Sequence, residues 1–338
     1  MGSFSHMPHR PGETGRPAPS SRYGGYARHY AALDLGTNNC RLLIARPQGD
    51  GFAVVDAFSR IVRLGEGLAT TGQLSDEAIE RTIAALKVCA DKLRRRPVTL
   101  ARSVATEACR RASNGAAFIA RVREETGIRL DIISAEEEAR LAVLGCHVLI
   151  EAGDGPALIF DIGGGSTELV LVDTRPTIPT VIDWHSAPWG VVSLTEATGG
   201  PSDGLAPYAE MRRLVAASFA PFAARLPKDP VNPRLLGTSG TVTTLASVHL
   251  GLHHYDRSIV DGLIAPAEAM RRISADLAGK TLDQRAQLPC IGRERADLVV
   301  AGCAILESIL DLWPAERLGI ADRGIREGIL RRLMASAQ

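Results

Sequence analysis

Two short apolar runs in this chain end on an aspartate, and each is followed by a small polar loop and a second apolar run. The first comprises Ala31-Ala32-Leu33, Asp34, a loop over Gly36-Thr37-Asn38-Asn39, and Leu42 to Ala45. The second comprises Ala157 to Phe160, Asp161, a loop over Gly163-Gly164-Gly165-Ser166-Thr167, and Leu169 to Val172. The pattern predicts strand, tight turn, strand, written twice at a distance of 127 positions (34 and 161). In register, Asp34 falls on Asp161, Gly36 on Gly163 and Arg41 on Glu168. Glycine lets a ligand approach the backbone, so successive N–H groups of such a loop can point at an anion. Two copies suggest two halves closing on one phosphorylated substrate.

Elsewhere the pattern alternates between the two periods. Gly51 to Val62 reads as a strand. Ser75-Asp76-Glu77 opens a helix with a cap and an acidic first turn, and Ile79, Ile83, Leu86, Ala90 and Leu93 form one face of it. Its basic end, Lys92 and Arg94 to Arg96, suits a helix C-terminus. Strands are expected at 98–104 and 130–133, and helices near 115–126 and from 135 to about 150. The second half predicts strands at 157–162, 168–173 and 180–185 and a helix at 206–225. Leu235 to Thr241 then reads as strand, glycine loop and helix start, with helices at 266–279, 294–312 and 324–335 beyond. Alternating strands and helices place the chain in the α/β class.

Composition narrows the picture. The 338 residues are enough for two domains. A hydrophobic share of 45% and a net charge of +1 give no global field for nucleic acid or membrane. No apolar run approaches the ~20 residues needed to span a bilayer. The six cysteines form no CxxC pair and read as buried thiols of a reducing cytoplasm. Residues 1–28, rich in Pro, Gly, Ser and Arg, are expected to be a disordered tail. The expected domains are 29–139 and 140–322, with the last helix, about 323–338, able to pack back on the first.

The candidate chemistry centres on carboxylates. Asp34 and Asp161 end buried strands, where an unpaired carboxylate is costly. Each could cap its own turn, but two matched copies point to function. Carboxylates beside phosphate repel it unless a divalent cation lies between them, typically Mg²⁺. Arg41 is then a candidate phosphate clamp and Glu168 a metal or water ligand, the alternative being two solvent-facing strand residues. Gly163 to Gly165 lead into a strand rather than a helix, which argues against a dinucleotide fold, and no P-loop motif occurs. Ser134 and Glu137 have capping-box spacing, which leaves Glu138 free at the positive end of a helix. There it could deprotonate water; three surface glutamates opening a helix is the plain alternative.

Taken together, these residues resemble the exopolyphosphatase / guanosine pentaphosphate phosphohydrolase family over about 30–330. The resemblance is carried by Ala32 to Asn39, Ala105 to Ala112, Ile133 to Leu141, Asp161 to Leu169, Gly237 to Thr241 and Arg326-Glu327-Gly328. It implies two ribonuclease-H-like domains around an interdomain cleft, the fold of actin, Hsp70 and sugar kinases. It implies Mg²⁺-dependent hydrolysis of a terminal phosphoanhydride in polyphosphate or guanosine pentaphosphate. Glu138 then falls on the catalytic glutamate, Asp161 and Glu168 on acidic metal and water positions, and Arg110 on an arginine facing the phosphates. Loops 36–39 and 163–167, with Gly240 in Gly237 to Thr241, fall on phosphate-binding segments. Three departures stand out: Asn39 where a serine is usual, Arg323 where glycine is usual, and no C-terminal helical domains within 338 residues. The alternatives are a phosphotransferase of the same superfamily and a non-catalytic nucleotide switch. Oligomeric state is left open, a homodimer being one option.

Overall fold

The computed structural model describes residues 28–201, 203–228 and 230–337. The tail expected to be disordered lies outside the described residues up to position 27. Two sheets organise the chain. The first contains β1 (His29–Leu35), β2 (Asn39–Gln48), β3 (Gly51–Ile61), β4 (Val98–Ala105) and β5 (Leu130–Ile132), in the order β3-β2-β1-β4-β5. The second contains β6 (Pro156–Ile162), β7 (Thr167–Asp173), β8 (Thr180–Ala187), β9 (Arg234–Thr238), β10 (Ile264–Pro266) and β11 (Arg317–Ala321), in the order β10-β11-β9-β6-β7-β8. In both, an antiparallel three-stranded meander carries the matched hairpin, and its first strand pairs in parallel with a later strand. This is the expected α/β architecture of two ribonuclease-H-like domains, one built on each sheet.

β1 and β6 are apolar on both faces because both faces are covered. Ala31, Leu33 and Leu35 pack under the helices Asp76–Arg95 and Gly115–Thr126. Tyr30 and Ala32 face the opposite layer, with Leu141, Ala142, Ile325 and Ile329. In the second sheet Leu158, Phe160 and Ile162 face a core shared with Leu205–Ala223, Gly240–His249, Ala267–Gly279 and Val299–Leu312. Ala157 and Ile159 face Ala139, Val143 and Cys146. The helix Ala135–Cys146 therefore lies between the sheets, presenting Leu141 and Ala142 to one and Ala139, Val143 and Cys146 to the other. The helix Ile325–Ala335 packs beside it against the first sheet.

These two helices meet through glycine. A Cβ on Gly145 would stand 2.0 Å from the Gly324 carbonyl oxygen, and one on Gly328 would stand 2.0 Å from that of Leu141. Backbone cannot yield as a flexible side chain can. Alanine normally stabilises a helix interior by ~1 kcal/mol over glycine. At Gly145 or Gly328 the sign is expected to reverse, with ~1–3 kcal/mol lost to overpacking. Thermal melting of Gly328→Ala checks this, and an unchanged or raised Tm would sink it.

The pattern reading differs from the structure at several ends. The helix from 135 stops at Cys146 and continues as a 3₁₀ turn over His147–Leu149, and regular helix in the 294–312 stretch begins at Val299. β10, β11 and the helix Val191–Ala197 lie outside the elements expected from the pattern. All six cysteines are free, five of them buried. Among the described residues no helix is long and apolar enough to cross a membrane.

Candidate active site

The two hairpins make the same local structure. Asp34 pairs across its ladder with Arg41, and Asp161 with Glu168. In both loops the first glycine N–H donates to a carbonyl three residues on, Gly36 to Asn39 and Gly163 to Ser166, each at 2.9 Å. The loops then meet across the domain boundary. A Cβ on Gly164 would lie 3.0 Å from the Asn38 nitrogen, and one on Gly165 would lie 2.7 Å from Thr37 Oγ1. The close approach explains glycine at 164 and 165, where little more than bare backbone fits against the first loop; at Gly163 a Cβ would instead stand 3.0 Å from the carbonyl oxygen of Ser166 in its own loop.

Between them lies a cavity of about 130 Å³. Its wall includes Asp34, Gly36 to Asn39, Arg41, Glu138, Asp161, Gly163 to Ser166 and Gly240. The fold thus brings most of the sequence-derived candidates to one place. It leaves three out of the lining. The Thr167 hydroxyl donates to the Trp189 carbonyl at 2.7 Å. Glu168, only 2% exposed, sits behind Asp161 and accepts from Ser186 Oγ at 2.9 Å. Arg110 lies behind the wall and donates from Nη1 to Glu138 Oε2 at 2.9 Å.

Glu138 owes its place to the helix start. Ser134 Oγ accepts from the Glu137 N–H, but the Glu137 side chain turns outward to Arg102 and Arg332, so the box is only half formed. One residue on, Glu138 points into the cleft and is 7% exposed. Arg323 is held by Asp261, 2.7 Å from its Nε, which neutralises the bulky departure from the family pattern.

Burial dominates the electrostatics. It lifts Asp161 from 3.8 to about 7, with Glu138 adding to the rise and Arg41 opposing it. Glu168 is lifted to about 7 by burial and by Asp161. Glu138 is raised well above its ordinary range by burial and Glu168, against the pull of Arg110. Asp34 is raised too, chiefly by burial, and its Oδ1 is buried without a hydrogen-bond partner. The Arg41 side chain lines the cavity with no hydrogen bond or ion pair of its own among the described residues. The site therefore holds more buried carboxylate than its cations neutralise, the situation in which a cation completes a site.

Several cleft residues were not among the site residues expected from the sequence. Ser239 lines the cavity with φ at 142°, a conformation rare outside glycine, and its Oγ accepts from the Thr241 and Val242 N–H groups. Arg295 donates to Thr244 Oγ1 at 2.7 Å. Glu107 enters the wall from the short helix Glu107–Arg111. The only clue was the run Thr106 to Arg111, which carries no spacing rule by itself.

The Ppx/GppA phosphatase family model matches residues 43–337. The chain belongs to that family. Exopolyphosphatase 2 of Mycobacterium tuberculosis is 32% identical over 314 residues, 88% of this chain and 96% of that protein. A putative exopolyphosphatase of Haemophilus influenzae is 28% identical, covering 94% of this chain and 95% of its own length. Among solved structures, the Aquifex aeolicus Ppx/GppA family member superposes with a TM-score of 0.75 at 27% identity, over 92% of this chain and 99% of that one. Membership of the Ppx/GppA phosphatase family makes this protein a hydrolase, and the two-domain fold agrees.

Proposed function

We propose that this Ppx/GppA family member hydrolyses the terminal phosphoanhydride of inorganic polyphosphate, releasing orthophosphate, with guanosine pentaphosphate as a second substrate. The observation that carries this is the buried Glu138 carboxylate on the wall of a cavity enclosed by two matched phosphate-type loops. At about 130 Å³ the cavity is below the ~300–1,000 Å³ of pockets that enclose a whole organic ligand, which suits the phosphate end of a substrate rather than a whole enclosed nucleotide. The exopolyphosphatase relatives agree with that choice.

In this reading the loop N–H groups of 37–39 and 164–166 and the unpaired Arg41 side chain bind the terminal phosphates, the Gly36 and Gly163 N–H groups being used to close their own loops. Glu138, with its affinity for protons raised by burial, takes a proton from the attacking water. Magnesium fits the donor set: Asp34 and Asp161 offer hard oxygens on the cavity wall, Glu168 stands beside Asp161 across the ladder, and Asp34 Oδ1 lacks a partner. Among the described residues no three such side chains converge into a cage. Mg²⁺ usually takes one or two carboxylates and completes its shell with water and substrate phosphates. When bound it supplies charge neutralisation between carboxylate and phosphate.

The test is phosphate release from polyphosphate, guanosine pentaphosphate and ATP, with Mg²⁺ and with EDTA. Chelation is expected to abolish release and Mg²⁺ to restore it. Protons compete with the metal for Asp161 and Glu168, both near 7, so apparent Mg²⁺ affinity should rise between pH 6 and pH 7 and level off above. The rise is expected to be about tenfold per pH unit for each proton displaced. Full activity in EDTA, or an affinity flat across that range, would overturn the metal reading.

A further inference from the structure

Arg110 does not reach into the cavity, and the reason is Glu107. Glu107 Oε2 accepts from Arg110 Nε at 3.1 Å and from Nη2 at 2.7 Å. On the other side Nη1 donates to the Ile133 carbonyl at 2.7 Å and to Glu138 Oε2 at 2.9 Å. An arginine has five N–H donors. One on Nε, one on Nη2 and both on Nη1 are engaged, which leaves a single N–H on Nη2. Glu107 lies close against the opposing loop, where a Cβ on Gly165 would stand 3.0 Å from its Cγ.

We infer that Glu107 is a positioning residue: it holds the Arg110 guanidinium against Glu138 and off the phosphates. This rests on the proposed hydrolysis at the same site. The Arg110 side chain is 19% exposed, and its guanidinium would otherwise be drawn to a polyanion in the cleft, because charge-assisted contacts to phosphate are strong. With Glu107 in place, Arg110 keeps a carboxylate on each side, and the Glu138 carboxylate keeps one orientation toward the cavity. Without that charge Arg110 becomes a phosphate clamp. Glu138 is then left unsupported, and substrate and product are held more tightly.

The consequence is a split that a purely structural residue would not produce. Glu107→Gln is expected to lower kcat about 10- to 100-fold, leave KM for polyphosphate unchanged or lower, and strengthen inhibition by orthophosphate. Glu107 acts through Arg110, so Glu107→Gln in an Arg110→Ala background is expected to be no slower than Arg110→Ala alone. If Glu107→Gln does not fold, as judged by its melting curve, Glu107→Asp keeps the charge but draws it back one methylene from Arg110, and is expected to show a smaller kcat loss, again with KM unchanged or lower.

A wild-type kcat in Glu107→Gln overturns the inference. So does a raised KM at unchanged kcat, or a double variant slower than Arg110→Ala by the full factor of Glu107→Gln. A wild-type protein that releases no phosphate from polyphosphate sinks the hydrolase reading instead, so the two failures are distinguishable.

Discussion

Glu138→Gln is expected to slow phosphate release by ~10²–10⁴, the range for losing a general base, while KM for polyphosphate hardly changes. Glutamine has nearly the same shape, and its amide oxygen can still accept from Arg110 Nη1 as Glu138 Oε2 does at 2.9 Å. What it cannot do is take a proton from water. Stability should not suffer, because burial is the main reason the Glu138 carboxyl is raised, and a neutral amide escapes that cost. Single-turnover phosphate release beside a melting curve separates the two effects. Turnover within a few-fold of wild type would remove Glu138 from the mechanism.

Asp161→Asn is expected to abolish activity at every Mg²⁺ concentration and yet make the metal-free protein harder to melt above pH 7. Asp161 lies on the cavity wall with its carboxyl largely withdrawn from water, and this desolvation lifts it from 3.8 to about 7. The folded state thus binds this proton more tightly than the unfolded chain. The stability linked to it is fully present below pH ~4 and is lost as pH rises through 7. At 1.36 kcal/mol per pKa unit, the cost at pH 8 is about 4 kcal/mol, an order-of-magnitude figure because Glu138 and Glu168 titrate nearby. Asparagine never ionises and escapes it. Melting both proteins in EDTA from pH 4 to pH 8 should show a gap that widens with pH. A variant that melts lower than wild type at pH 8 would show that Asp161 is not under this strain, and residual Mg²⁺-dependent activity would show that it is not needed for catalysis.

Both predictions concern carboxylates that the chain marks locally and the fold makes unusual. The hairpins at 34–41 and 161–168 were legible because strand alternation, glycine turns and capping are short-range properties. They rest on residues within ten positions of one another, so the two matched aspartates, their loops and the start of the helix at Ser134 can be read from neighbours alone. The α/β class followed from the same periodicities, and the resemblance to a phosphatase family followed from these local segments combined. β10 and β11 left no such trace; they exist through pairing with each other and with β9.

The local pattern could not tell equivalent side chains apart. Thr167 sits in the matched loop, yet its hydroxyl is spent on the Trp189 carbonyl, 22 residues away. Arg41 and Arg110 look alike as cations, but one faces the cavity unpaired and the other is clamped between Glu107 and Glu138, 28 residues beyond it. Arg295 and Ser239 reach the cleft only because the second sheet and its helices close over it. By itself the sequence determined which segments turn, which strands they join and which carboxylates end them, since those depend on backbone propensity and spacing. The tertiary structure alone decided which carboxylates lose their water, which arginines keep a free charge and how close the two loops come, because desolvation and distance are properties of the packed chain.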